Sequence, residues 1–151
     1  MKPLLVLLAA FAISICALRL FAGDWDYVSA GNIAMASMLL FTAIGHFAFT
    51  KGMAMMLPGF VPFKKLLVYI TGVIEIVAGV GLLVNSVRVS AAVFLIFFFV
   101  ILLPANIYAA MKGVDYQTGS YGGNGLTYLW FRVPLQLLFI AWVAYFGLYT
   151  R

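Results

Sequence analysis

Ala91-Ala92-Val93-Phe94-Leu95-Ile96-Phe97-Phe98-Phe99-Val100-Ile101-Leu102-Leu103 runs for thirteen residues without one polar side chain and without alternation. A strand of a transmembrane barrel would place lipid-facing and lumen-facing residues in turn over about ten positions. A continuous apolar run must satisfy its backbone groups within itself when lipid surrounds it, which predicts an α-helix. Extended from Arg88 to Met111, the segment exceeds the ~20 residues that cross a hydrocarbon core about 30 Å thick.

Four further stretches have the same character: Pro3 to Phe21, Val28 to Phe49, Leu66 to Val84 and Thr127 to Tyr149. The chain therefore reads as an all-α membrane protein of five spans. Composition agrees, with 66% hydrophobic and 9% charged residues and a mean hydropathy of +1.15. A soluble domain would carry roughly a quarter charged residues.

The breaks read as interfacial loops. Asp24 to Tyr27 is the first, Lys51 to Lys65 with Pro58 and Pro62 the second, and Asn85 to Val87 a tight hairpin. The fourth, 112–126, is rich in glycine and predicts turns and mobility. Met53, Met55 and Met56 in the second loop read as an interfacial half-helix and not as a copper site. With five spans, one face receives Lys2, Lys51, Lys64, Lys65, Lys112 and Arg132, and the other Arg19, Arg88 and Arg151. The positive-inside rule then places the N-terminus and loops 51–65 and 112–126 in the cytoplasm. The net charge of +5 is accounted for by this topology and by anionic headgroups, and points to no nucleic-acid partner.

Residues 1–27 form the first span and a short outer loop. A second reading of this span is a signal peptide, since Lys2 precedes an apolar core and Ala17 and Ala22 follow; Arg19 within the candidate cleavage region opposes it. The single Cys16 excludes an intrachain disulfide or a cysteine-held cluster, and the single His46 excludes a bis-histidine haem or a multi-histidine metal centre. No metal is expected, and no intrinsic cofactor.

Polar groups inside the spans are costly and usually face the bundle interior. Five qualify: His46, Glu75, Asn106, Arg132 and Gln136, contributed by four helices. A rise of about 1.5 Å per residue from the cytoplasmic ends puts all five in the same half of the bundle, as one shared pocket would require. Glu75 needs a cation or hydrogen-bond donors to remain ionised. Arg132 and His46 are the candidate partners, and Glu75 with His46 is the candidate proton relay. A packing role competes, because interhelical polar contacts of about 0.6 kcal/mol each are common in membranes. Asn106 has a further reading, bending the helix beside Pro104. Gly72, Ala78, Gly79 and Gly81 mark a face where another helix comes close.

The ordered blocks Gly45-His46-Phe47, Met56-Leu57-Pro58, Tyr69-Ile70-Thr71-Gly72-Val73-Ile74-Glu75, Leu103-Pro104-Ala105-Asn106 and Arg132-Val133-Pro134-Leu135-Gln136 resemble those of the DoxX-like family of small bacterial membrane proteins. The resemblance covers about Ala34 to Trp142. It implies a four-helix transmembrane core at 28–151, with the first span an addition, in the bacterial inner membrane. It also implies a subunit or accessory of a membrane redox complex, with a quinone held at His46, Glu75, Asn106, Arg132 and Gln136 and a redox protein as partner. The alternative is a non-enzymatic module that binds a lipophilic small molecule or acts as a chaperone. A transporter is disfavoured, since no repeated pair of broken helices is evident.

Overall fold

A computed structural model describes residues 2–123 and 125–148. Six helices follow in chain order: α1 (Lys2–Phe21), α2 (Tyr27–Ala48), α3 (Thr50–Met55), α4 (Lys64–Leu83), α5 (Arg88–Met111) and α6 (Leu129–Gly147), the last preceded by a 3-10 turn at Gly125–Tyr128. Five are long and apolar enough to cross a membrane, and α3 is a single short turn-and-a-half in the second loop. The chain is a multi-pass, all-α membrane protein. The fifth span begins at Leu129, two residues later than the sequence suggests, because Gly125–Tyr128 winds as 3-10; its expected end at Tyr149 lies outside the described residues.

α2 is the centre of the bundle and packs on α1, α4 and α6. Its start is fixed by Asp26, whose carboxylate accepts the Ser29 amide at 3.0 Å, a cap that satisfies one of the orphan donors at a helix start. Small residues then let neighbours approach. A Cβ on Gly31 would lie 2.3 Å from the Phe146 ring, and one on Gly72 would lie 2.9 Å from the His46 Cβ. Gly79 meets Ala36 and Leu39 of α2, whereas Gly81 faces Ala91 of α5. The small-residue face of α4 thus serves two partners.

The core runs through Leu7, Met35, Met38, Leu39, Leu82, Leu95, Phe98, Phe99, Phe139 and Val143. Leu7 belongs to α1, whose Phe11 also meets the Trp142 ring edge-on at 5.2 Å, so the first helix shares the core of the other four spans. Outward-facing Ile13, Val77, Phe97 and Ile101 are exposed. On a soluble protein so large an apolar exterior would mark an interaction surface; here it is the face offered to lipid. The tight α4–α5 turn is closed by Arg88, which donates through Nε to the Leu82 carbonyl at 3.2 Å and through its guanidinium to Asn85.

Candidate functional site

Thr42 and His46 are four residues apart on α2, and Thr71 and Glu75 four apart on α4, so each pair shares one helix face. Gly72 lets these two faces meet. Glu75 is 5% exposed. Thr42 Oγ1 donates to Glu75 Oε2 at 2.9 Å, and His46 Nε2 lies 3.4 Å from Oε1. On its other side, His46 Nδ1 is 3.1 Å from the Val68 carbonyl and 3.0 Å from Thr71 Oγ1.

Thr71 Oγ1 also donates to the Val68 carbonyl at 2.9 Å, so both ring nitrogens of His46 are engaged: Nε2 faces the Glu75 carboxyl group, and Nδ1 faces the Val68 carbonyl and the Thr71 hydroxyl of α4.

Arg132 does not complete this pair. Among the described residues it forms no ion pair; its guanidinium instead lies over the rings of Tyr116 and Tyr128, 5.9 and 5.6 Å from their centroids. The expectation that Arg132 neutralises Glu75 is replaced by the His46 and Thr42 contacts. The physical reason is proximity: Thr42 and His46 sit on the helix packed directly against α4, while Arg132 finds π-faces near its own helix start, an arrangement worth roughly 0.5–1 kcal/mol at exposed sites and more when desolvated.

Gln136 is buried and donates from Nε2 to the Phe99 carbonyl at 2.9 Å. That carbonyl is adjacent to the one at Val100, which loses its helical donor because Pro104 has no N–H. Gln136, and not Asn106, thus bonds the α5 backbone near the proline. Asn106 makes no side-chain hydrogen bond to another described residue.

All five residues singled out in the sequence nevertheless line one cavity of about 580 Å³, within the 300–1,000 Å³ typical of small-molecule sites. Its walls are mainly apolar, with Met38, Phe41, Phe99, Leu102 and Phe139. Met53 of α3 and Met56 just after it contribute to the same wall, so the methionine cluster forms part of a half-helix that lines the cavity.

Thr42 and Thr71 escape the sequence reading, and so do three lining residues outside the long helices, Tyr116, Gln117 and Tyr128. The last three come from the glycine-rich fourth loop and the 3-10 turn that follows it. The described part of this loop, 112–123, is built of hydrogen-bonded turns. Asp115 and Ser120 exchange backbone hydrogen bonds at 2.8 and 3.3 Å, and the Asp115 carboxylate accepts the Gln117 amide at 2.9 Å. That amide bond, helped by Thr118, holds Asp115 below its ordinary value of 3.8 against a smaller opposing effect of desolvation. Gly113, Gly119 and Gly125 take the left-handed backbone that the turns need. Tyr116 is seated on α3, where its carbonyl would lie 1.9 Å from a Cβ on Gly52 and its ring meets Phe49 edge-on at 6.1 Å. The available signal was an aromatic and an aspartate four residues from glycine inside a loop otherwise poor in bulk.

No curated protein and no solved structure matches the chain. A family described as a domain of unknown function, DUF8561, matches residues 35–146, which takes in every polar residue of the cavity from α2 to α6.

Proposed function

The chain belongs to the DUF8561 family, and from the cavity it encloses we propose that it is a DoxX-like subunit or accessory of a membrane redox complex that holds a quinone-like ligand within the bilayer. The observation that carries this reading is the convergence of His46, Glu75, Asn106, Arg132 and Gln136 from four helices on one apolar-walled cavity. We place the protein in the bacterial inner membrane, with the N-terminus and loops 51–65 and 112–126 in the cytoplasm by the positive-inside rule.

The donor set fits such a headgroup. A quinone takes up two electrons, supplied by the cofactor of a partner protein, and two protons, becoming a quinol. Glu75 and His46, in contact at the cavity wall, would relay both protons in turn, each drawn from water on the cytoplasmic side, and proton transfer by a positioned side chain contributes typically 10²–10⁴-fold. Asn106 and Arg132 present N–H donors to the cavity that no other described residue takes up. The apolar walls exclude water from this exchange and seat a lipophilic tail.

A non-enzymatic ligand-binding module is the second reading. It is favoured by Glu75 being engaged by both Thr42 and His46, which leaves recognition to Asn106 and Arg132. Native mass spectrometry of the protein gently extracted from its own membranes separates the two. Copurifying quinone or a cofactor-bearing redox subunit supports the first, and a lone chain carrying only a lipid-like molecule supports the second.

A further inference from the structure

Charged and ionisable groups reach the cavity from most of the elements around it. α1 supplies Lys2, α2 His46, α4 Glu75, the fourth loop Tyr116, the 3-10 turn Tyr128 and α6 Arg132; α5 supplies the neutral Asn106. Glu75 is engaged within the bundle by Thr42 and His46. Lys2, exposed at the rim, and Arg132 are the permanent cations among the lining residues.

Among the described residues no carboxylate pairs with either of them. Asp24 and Asp26 sit in the α1–α2 loop, at the far end of the 22-residue α2 from His46. Asp115, the one acid of the fourth loop, spends its carboxylate on the Gln117 and Thr118 amides. Arg132 is neither paired with a carboxylate nor hydrogen-bonded among the described residues, and the two tyrosine rings that it covers hold its plane without neutralising it. A guanidinium is charged at any physiological pH, and its fork of N–H donors matches carboxylate and phosphate oxygens.

We propose that the cavity selects an amphiphile with an anionic headgroup, a carboxylate, phosphate or ionised ring hydroxyl, which Arg132 receives while the apolar walls take the tail. This rests on the reading of the cavity as a ligand site and narrows it. A neutral headgroup such as a quinone can accept N–H donors from Asn106 and Arg132, but only an anionic one also neutralises the guanidinium.

The test uses the full chain in phosphatidylcholine nanodiscs with two radiolabelled probes of equal tail, hexadecyl phosphate and hexadecanol, at neutral pH. Wild type is expected to retain the phosphate at least about tenfold more strongly, in line with the strength of charge-assisted bidentate contacts. Arg132→Gln should lose that preference. Arg132→Lys should keep part of it, since charge remains while the fork is lost, and it serves as the variant in which the site's charge and fold are both retained. Millimolar inorganic phosphate should fail to displace the labelled amphiphile; full displacement by it would overturn the need for a tail. Equal retention of both probes by wild type, or an unchanged preference in Arg132→Gln, overturns the anionic headgroup. If decylubiquinone and hexadecanol are retained and the phosphate is not favoured, the cavity remains a ligand site and only this inference falls. If none of the three exceeds empty nanodiscs, the ligand site itself is refuted.

Discussion

Replacing Glu75 with glutamine and with alanine should have opposite consequences for fold and for chemistry. The carboxylate is buried and has two partners, Thr42 Oγ1 at 2.9 Å and His46 Nε2 at 3.4 Å. A glutamine of nearly the same shape keeps a polar atom opposite each: its Oε1 accepts the Thr42 hydroxyl, and its amide nitrogen faces His46 Nε2. The net change is then less than about 1 kcal/mol, the scale of one exchanged hydrogen bond. Alanine leaves Thr42 and His46 without that partner and opens a void beside Gly72, at a cost of about 2–3 kcal/mol. For a chain of this size roughly 2–4 °C of Tm accompanies each kcal/mol. Thermal unfolding in nanodiscs should therefore show Glu75→Gln within about 3 °C of wild type and Glu75→Ala lower by about 4–12 °C. Chemistry divides differently, because an amide cannot take up and release a proton as a carboxyl group does. Glu75→Gln should lower quinone-linked turnover in native membranes by at least about 100-fold, the low end for general acid–base catalysis. A Tm loss in Glu75→Gln as large as that of alanine would mean that ionic attraction itself ties α4 to α2. Undiminished turnover would refute the proton relay.

Gly72→Ala should lower Tm by several degrees, since its Cβ would sit 2.9 Å from the His46 Cβ and overpacking costs typically 1–3 kcal/mol; Gly59→Ala, with open space around it, is the control and should be neutral. Gly52→Ala should favour α3 by helix propensity, about 1 kcal/mol, yet push away the Tyr116 carbonyl, so hydrogen exchange should accelerate at Tyr116 to Thr118 while the long helices stay protected. For the fourth loop, the folded-state value of Asp115 is depressed, chiefly by the Gln117 amide. Its contribution is present above the ordinary 3.8 and lost as pH falls through the lower folded value. NMR shifts of the Gln117 and Thr118 amides should accordingly hold constant from neutral pH down to about 4 and move only below it, and Asp115→Asn should remove that transition.

Much of the fold was legible because lipid leaves few options: an apolar run of twenty residues has to be a helix. Polarity inside such runs was equally informative, and all five residues found this way face one cavity. Pairing within that set was less legible. Depth along the helix axis says nothing about rotation around it, so Arg132 and His46 stood as equal partners for Glu75 until the α2–α4 contact was known. The Gly72 notch decides it, by letting His46 and Thr42 approach α4 as one face. Tyr116, Gln117 and Tyr128 were invisible for another reason. Their place depends on how glycine turns fold the fourth loop back onto α3, a non-local contact that no periodicity encodes.

The polar set divides by what its members spend their hydrogen bonds on. Glu75, His46, Thr42 and Gln136 each bond to a neighbouring helix, and a role confined to packing would account for those four. Interhelical polar contacts in membranes are worth about 0.6 kcal/mol on average, enough to justify them as connectors. Asn106 and Arg132 join no helix to another by hydrogen bond or ion pair among the described residues. Each still carries the insertion cost of a polar group in an apolar span, about 2.5–3.5 kcal/mol for an arginine near the helix centre and less toward its ends. The Tyr116 and Tyr128 rings offset about 0.5–1 kcal/mol of it for Arg132, and no described hydrogen bond offsets it for Asn106. Their donors face the cavity, and a bound headgroup would satisfy them, so these two residues argue for ligand binding more strongly than the buried carboxylate does.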